Sequence, residues 1–235
     1  MFQSVVDQVV KLQAVTVAAW HQTPIELSQP VHEVATLVRR ELPPSGHDSA
    51  SRFCRGLIGN LGFLEVVCRQ HSYNYLLWHE EDLARSPAAT DTQIAQVKRA
   101  IDRYNQQRND WIERTDDWLA QYLEAQNVHA PNDAMMNTET PGSTFDRLSI
   151  LALRLYHLRE ELARNDATAE HRAKVGLKLQ TCELQHVELA EALAGLLADI
   201  HSGRKRHRTY RQCKMYNDPT MNPAIYRAGR SGKAA

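Results

Sequence analysis

The segments NYLLWHEEDLAR (residues 74–85) and KRAIDRYNQQRNDWIERTDDWL (residues 98–119) decide the fold, because both have the periodicity of an α-helix. Apolar side chains recur every three or four residues, the spacing of one helical face. Both segments also place charged and amide side chains on that face, where apolar ones are expected. Two such helices, each with polar side chains on its inward face, predict a cluster of polar groups between the packed helices.

Helical spacing continues along the rest of the chain. The 235 residues include only ten glycines, and alternation of apolar and polar residues, the mark of half-buried strands, is almost absent. Helices are predicted around residues 5–15, around 31–38 with a stop at Pro43-Pro44, from near Ser49, from about Asp91 to Gln126, from Ser143, and from about Thr168 to Ser202. We expect an all-α fold, an antiparallel helical bundle of four long helices with additional N-terminal helices.

Local signals mark where these helices begin and end. Thr90 and Gln93 have the spacing of a capping box, and Gly203 can end the last helix in a left-handed conformation. The predicted organisation is N-terminal helices over residues 1–45, the bundle over 46–203, and an irregular, basic and turn-rich tail over 204–235.

The charge balance and hydropathy exclude several classes of protein. Lys and Arg together number 28, as do Asp and Glu, so the whole chain has no net charge with which to attract nucleic acid or an anionic membrane. No window approaches the roughly 20 apolar residues of a membrane span. The N-terminus lacks the basic and apolar regions of a signal peptide. We therefore expect a cytoplasmic protein without a nucleic-acid or membrane partner.

The cysteines and the catalytic motifs give no reaction class. Cys54, Cys68, Cys182 and Cys213 form no CxxC pair, which argues against a zinc ribbon or a redox motif. We predict reduced thiols, with Cys68 and Cys182 buried. The sequence has no glycine-rich phosphate loop, HExxH or GxSxG motif. Whether the protein is an enzyme stays open at this point.

The third and fourth predicted helices are expected to form an αα-hairpin, because only about five residues separate them. In such a hairpin the numbers of facing residues sum to about 176. The expected facing pairs are Trp78 with Lys98, Asn74 with Asp102, and His71 with Asn105. Polar side chains would then face one another across a cleft, with Arg85 near the turn. Unpaired charge inside a bundle is costly, so these groups should form matched pairs or line a wet cavity.

Our leading hypothesis is that this cleft binds an anionic small molecule of the sugar-phosphate or nucleotide-sugar type. Lys98 and Arg108 would hold the anion, and Trp78 would stack on a ring. Asn105 and Asn109 would bind hydroxyl groups. The ligand-binding set predicted in full is Asn74, Trp78, Arg85, Lys98, Asn105, Arg108 and Asn109. If catalysis occurs, Glu81 or Asp102 would be the general base, provided that burial raises its pKa.

Other interpretations remain. Charges at helical spacing form a solvated face in most helices. A protein-interaction module or homodimer could use the polar hairpin and the basic tail after Gly203, whose cations could also cover an acidic surface such as Glu80–Asp82. A metal–carboxylate enzyme ranks third. Glu183 with His186 is a single E-x-x-H, and such a site requires two copies. We therefore expect neither a metal nor another cofactor.

The chain resembles the bacterial domain-of-unknown-function family DUF4254 over residues 50–226. The similarity lies in NYLLWHEEDLAR, KRAIDRYNQQRNDWIERTD, LSILALRLYHLREELAR and KMYNDPTMNP. It implies a helical cytosolic protein in an envelope-glycan context and brings no activity. The matching residues are Asn74, Trp78, Glu81, Asp82, Arg85, Lys98, Asp102, Asn105, Gln106, Arg108, Asn109, Asp110, Glu113, Tyr216, Asn217, Asp218 and Pro219. The first 45 residues resemble nothing known.

Overall fold

Five α-helices account for most of the chain that the computed structural model describes, which is residues 2–23, 61–215, 218, 220–223 and 227. They are α1 (Phe2–Gln22), α2 (Leu61–Ala84), α3 (Asp91–Ala125), α4 (Pro141–Ala163) and α5 (Ala169–His201). These residues contain no strand, only a single bridge between Met135 and Lys205. The all-α prediction is confirmed. The expected helix around residues 31–38 and the start near Ser49 lie outside the described residues.

The helix ends follow the local signals in the sequence. Thr90 accepts a hydrogen bond from the Gln93 backbone N–H and the Gln93 side chain accepts one from the Thr90 N–H, so the predicted capping box is formed. Thr140 and Thr168 are the N-caps of α4 and α5. The side-chain oxygen of each accepts one hydrogen bond, from the backbone N–H of Ser143 and of His171 respectively. Gly203 has a φ of 74°, the left-handed conformation expected after α5.

The helices form two hairpins, α2–α3 and α4–α5, and α4 lies at the centre of the packing. Residues 85–90 connect α2 to α3, and residues 164–168 connect α4 to α5. Such short links keep consecutive helices adjacent, and within the described residues α4 packs against all four other helices. Side chains on different faces of α4 therefore reach every other helix of the bundle.

Helix α1 belongs to the central core rather than to its periphery. Val5, Val6 and Val9 have no exposed surface, and Leu12 has almost none. They pack in one apolar cluster with residues of α2, α4 and α5. The sequence led us to expect N-terminal helices as an addition to a four-helix bundle, whereas α1 fills a position among the long helices. None of the five helices combines the length and the apolarity needed to cross a bilayer.

The basic segment after α5 covers an acidic face of α3. Arg211 forms ion pairs with Glu113 and Asp117, at 3.1 and 2.7 Å. The Gln212 backbone N–H also donates to Glu113. Of the alternatives that the sequence left open for this segment, the contacts match the covering of an acidic surface, and the partners lie on α3 rather than in the Glu80–Asp82 cluster.

The described cysteines are all free thiols, as predicted. Cys68 is buried, and burial raises the pKa of its thiol to about 12, so it is unreactive at neutral pH. Cys182 is half-buried, less enclosed than the sequence suggested, and Cys213 is exposed.

The N-terminus of α4 lies against α3 with no space for a side chain at Gly142. The Gly142 N–H donates to Asp116 at 2.8 Å. A Cβ on Gly142 would lie 2.6 Å from the Ile112 carbonyl oxygen and 2.8 Å from the Asp116 carboxylate. The glycine therefore sets the closest approach of these two helices.

We expect Gly142→Ala to lower the free energy of unfolding by about 1–3 kcal/mol, because backbone atoms must move to admit the methyl group. Gly195 is the matched control. It lies within α5 with open space around its Cβ position, so Gly195→Ala should raise stability by about 0.5–1 kcal/mol. Urea unfolding measures both. Equal effects of the two substitutions would contradict the described helix contact.

Candidate functional site

A buried carboxylate, Asp146 on α4, collects hydrogen bonds from α2 and α3. Its side chain accepts from the amides of Gln70 and Asn74. Arg108 approaches with two nitrogens, one on each carboxylate oxygen, and the Nε–Oδ1 distance is 2.7 Å. The side chain of Asp146 is 6% exposed and that of Arg108 is 25% exposed. This bidentate pair, with two amide donors, joins three helices at one point.

The Asp146 network changes the interpretation of two predicted ligand-binding residues. Arg108 and Asn74 do point inward, as their place on the apolar face suggested. Their partner is a carboxylate of the protein itself, so the guanidinium charge is already neutralised. These two residues contribute to the packing of α2 and α3 on α4, and their part in binding an anion stays a prediction from the sequence.

A chain of hydrogen bonds continues from Asn74 to α1. Asn74 donates to the Ser149 hydroxyl at 2.8 Å. His71 lies with Nδ1 2.6 Å from that hydroxyl and Nε2 3.1 Å from the Gln13 carbonyl. Because a carbonyl only accepts, Nε2 carries the proton and Ser149 donates to Nδ1. Burial lowers the pKa of His71 to about 3, despite the bond to Gln13, so the ring is neutral.

The residues near the α2–α3 turn form local surface pairs and do not enclose a cleft. Lys98 pairs with Asp102 one turn away, and their side chains are 66% and 53% exposed. Glu81 pairs with Arg85 in the same manner at 2.9 Å. Glu81 and Asp102 are thus exposed carboxylates paired with cations on the surface, and neither lies in the buried cleft that the sequence hypothesis required of a general base.

The two remaining amides of the predicted site, Asn105 and Asn109, are half-buried on α3. Neither side chain forms a hydrogen bond with another described residue. Gln106 between them bonds locally to Asp110 at 2.7 Å. The expected facing of Asn105 and His71 is replaced by the bonds of His71 to α1 and α4.

Trp78 faces α4 rather than Lys98. Its ring stacks on the His157 imidazole, with centroids 4.8 Å apart and planes 10° from parallel. Both rings line a cavity of about 620 Å³ bounded by α2, α4 and α5, which we call the Trp78 groove. The groove is also lined by Arg154, Leu177, Lys178 and Cys182. Of the predicted ligand-binding residues, Trp78 is the one that lines this groove.

Three histidines from three helices meet behind the Trp78 groove. They are His21 at the end of α1, His79 on α2 and His157 on α4, which we call the histidine cluster. One possible ligand atom from each ring lies within 4.8 Å of the other two. The Nε2 atom of each ring is buried and has no hydrogen-bond partner in the described residues.

Aromatic rings and two carboxylates surround the histidine cluster. Tyr156 stacks on His21 at 4.2 Å, and Tyr75 lies edge-on to His79 at 4.5 Å. Burial lowers the pKa of His79, and His21 and His157 lower it further. Burial also lowers the pKa of His157, opposed by its hydrogen bond to Glu160. His79 and His157 are therefore neutral at pH 7.

The residues of the single E-x-x-H do not form a site with one another. Glu183 forms an ion pair with Arg159 at 2.9 Å. His186 is half-buried, and burial lowers its pKa. His157 bonds to Glu160, as the H-x-x-E spacing allows, at 2.9 Å. The metal–carboxylate arrangement considered from the sequence is not assembled around Glu183.

The sequence interpretation missed Asp146 and His21. Asp146, Ser149 and Leu153 follow helical spacing on a face of α4, which was a usable sign of a buried carboxylate. His21 gave no such sign, since it lies 58 positions before His79 in the chain and no spacing rule links them.

Residues 64–209 match the family described as "Protein of unknown function (DUF4254)". The chain belongs to the DUF4254 family. No curated protein and no solved structure matches it. In this DUF4254 protein, the matched region contains Asp146, Arg108, His79 and His157, whereas His21 precedes it. The motif KMYNDPTMNP at residues 214–223 follows the match.

We expect Asp146→Ala to lower the free energy of unfolding by about 3 kcal/mol, because it leaves a partly buried guanidinium and the Gln70 amide without their acceptor and removes one of the two acceptors of Asn74. Arg147→Ala is the matched control. Arg147 is the next residue and forms an exposed pair with Glu139, so its loss should cost less than about 0.5 kcal/mol. Urea unfolding of both variants tests this, and a near-neutral Asp146→Ala would exclude the network.

We expect His71 to contribute to acid sensitivity. Its pKa is about 3 in the folded protein and about 6.5 when unfolded. As the pH falls through this window, the unfolded state takes up a proton that the folded state does not, so stability is lost. Compared with His71→Gln, the wild type should lose about 1.4 kcal/mol more per pH unit between about pH 6 and pH 4. Parallel pH profiles of the two proteins in urea unfolding would contradict a neutral buried ring.

Proposed function

We propose that this DUF4254 protein binds a small organic anion with a planar ring in the Trp78 groove. The observation that carries the proposal is a cavity of about 620 Å³ with stacked rings in its wall and two cations beside them. Natural small-molecule pockets are of similar size and combine an apolar lining with a few polar groups. The proposal keeps the anionic ligand and Trp78 of the sequence hypothesis and moves the site away from the α2–α3 turn.

The two cations of the groove are available to a ligand, unlike Arg108. Arg154 on α4 and Lys178 on α5 form no ion pair with another described residue. The acidic side chain in the groove, Glu161, is engaged by Arg164 and His171, at 2.5 and 2.7 Å. The charge left uncompensated in the groove is thus positive, which favours an anion.

The residues that line the Trp78 groove favour one class of anion over others. Trp78, Leu177 and Cys182 present mostly apolar surface, and the Thr181 hydroxyl already donates to the Leu177 carbonyl. A sugar with many hydroxyl groups would lose hydrogen bonds to water here without replacing them. A planar ring with one anionic group fits better. A protein-docking role ranks second and rests on the exposed Leu177, Leu184 and Val187, which share one face of α5.

A suitable probe is 8-anilinonaphthalene-1-sulfonate, a planar organic anion whose fluorescence rises on binding. We expect Lys178→Ala to weaken its affinity about fivefold, equivalent to about 1 kcal/mol for a partly exposed ion pair. Lys174→Ala is the matched control, since Lys174 is exposed one turn earlier on α5 and does not line the groove. Uridine monophosphate should displace the probe more effectively than glucose 6-phosphate. Equal affinities in the two lysine variants would contradict the proposed site.

A further inference from the structure

We infer that the histidine cluster is a binding site for a divalent transition-metal ion of the zinc class, held by His21, His79 and His157. The inference goes beyond ligand binding in the Trp78 groove and rests on different residues. Its basis is the convergence of three imidazole rings from α1, α2 and α4, each with a buried Nε2 that no described residue satisfies.

The distances within the histidine cluster suit one small ion. Ring centroids lie 5.1 Å apart for His21 and His79, 5.0 Å for His21 and His157, and 5.9 Å for His79 and His157. If the ligand atoms formed a triangle with sides of 4.8 Å, its centre would lie about 2.8 Å from each, whereas Zn–N bonds are about 2.1 Å long. Side-chain shifts of about 0.7 Å would therefore close the site around zinc.

Two of the rings are oriented as metal ligands are in proteins. The Nδ1 of His21 lies 2.7 Å from the Val17 carbonyl, which can only accept, so Nδ1 carries the proton and Nε2 carries the lone pair. The Nδ1 of His157 lies 2.9 Å from the Glu160 carboxylate. A carbonyl or carboxylate on the far nitrogen fixes the tautomer and the ring direction of a metal-binding histidine.

The alternative is that the three histidines are ordinary packed core residues. In that case nothing compensates the free energy that is lost when their Nε2 atoms are buried away from water. A histidine in a protein interior is normally satisfied at both nitrogens, as His71 is by Ser149 and Gln13. In the histidine cluster, three ring nitrogens lose contact with water and gain no hydrogen-bond partner among the described residues. One cation would satisfy all three lone pairs at once.

The ligand chemistry selects the metal class. Imidazole nitrogen suits zinc, copper, nickel, iron and cobalt, whereas magnesium and calcium require oxygen ligands. Asp82 and Glu160 act on His79 and His157 as negative charges, which favours a cation nearby. Three nitrogens leave one position of a tetrahedral ion open to water or another small ligand, as in catalytic zinc sites.

Metal binding would join α1 to α2 and α4. His21 lies in the last turn of α1, and residues 22–60 separate it in the chain from α2. An ion that binds only the folded arrangement stabilises the protein by RT ln(1 + c/Kd), where c is the free ion concentration, so the stabilisation grows with the logarithm of that concentration above Kd. Binding should therefore raise Tm and slow amide hydrogen exchange in the last turns of α1.

The test uses the full chain without a polyhistidine tag, first stripped with a chelator. Titration with Co²⁺ followed by visible absorption, and with Zn²⁺ by calorimetry, should give one bound ion per chain and an increase in Tm. His79→Ala and His21→Ala should each weaken Zn²⁺ binding at least a hundredfold. His186→Ala is the matched control, because the His186 Nε2 is also buried without a partner among the described residues but lies outside the cluster. This variant should bind Zn²⁺ as the wild type does.

A milder substitution keeps the inference testable if a histidine variant does not fold. Glu160→Gln retains the side-chain size, and should weaken Zn²⁺ binding about tenfold, because a carboxylate supports its histidine better than an amide. Absence of one bound ion in the wild type would overturn the inference. So would unchanged Zn²⁺ affinity in folded His21→Ala. Lys178→Ala should leave Zn²⁺ binding unchanged, so failure of the groove proposal and failure of the metal site are distinguishable.

Discussion

The arrangement of the long helices depends on the ion pair between Arg108 and the buried Asp146. A buried carboxylate is tolerated only when charge and hydrogen bonds compensate its loss of water. Asp146 receives both, from one guanidinium on α3 and two amides on α2. Because three helices must be correctly placed for these bonds to form together, the network fixes their relative register as well as their contact.

The two polar clusters of the interior differ in how their unsatisfied atoms are arranged. From Asn74 through Ser149 and His71 to the Gln13 carbonyl, each donor has an acceptor. These hydrogen bonds extend the polar network from α2 to α1. They give a structural reason for polar side chains on the inward faces of the helices. Among the described residues, Gln13 Oε1 and Gln70 Oε1 of the first cluster also lack a partner. The histidine cluster differs because it brings together three rings, from three helices, that each have an unpartnered Nε2. This convergence is what distinguishes the candidate binding site from the rest of the core.

The sequence predicted the elements better than their lateral contacts. Capping residues act within one turn, so Thr90, Thr168 and Gly203 marked helix ends correctly from the sequence, whereas α4 begins at Pro141 after the cap Thr140 and not at Ser143. Periodicity identified the inward faces, including that of Arg108. It could not tell which neighbour each face meets, because several helix pairings bury the same apolar surface. The expected α2–α3 cleft failed for this reason, since Asn74 and Trp78 turn toward α4.

The candidate sites depend on contacts between residues that are far apart in the chain. The periodicity of apolar and polar residues carries little information about such contacts. Trp78 was singled out because an aromatic ring among charges is unusual, and it does line the groove. Arg154 and Lys178 are ordinary surface cations in the sequence, and only packing of α4 on α5 makes them neighbours of one cavity. His21 was beyond prediction, since α1 was expected to lie outside the main bundle.

A double-mutant cycle on Arg108 and Asp146 tests the central claim most directly, because it isolates the coupling of the two side chains from the effect of losing either one. The free energies of unfolding of the wild type, the two single alanine variants and the double variant are required. The account predicts a coupling of about 2 kcal/mol or more, within the range of contacting charged residues. A coupling below about 0.5 kcal/mol, the level of independent sites, would contradict it.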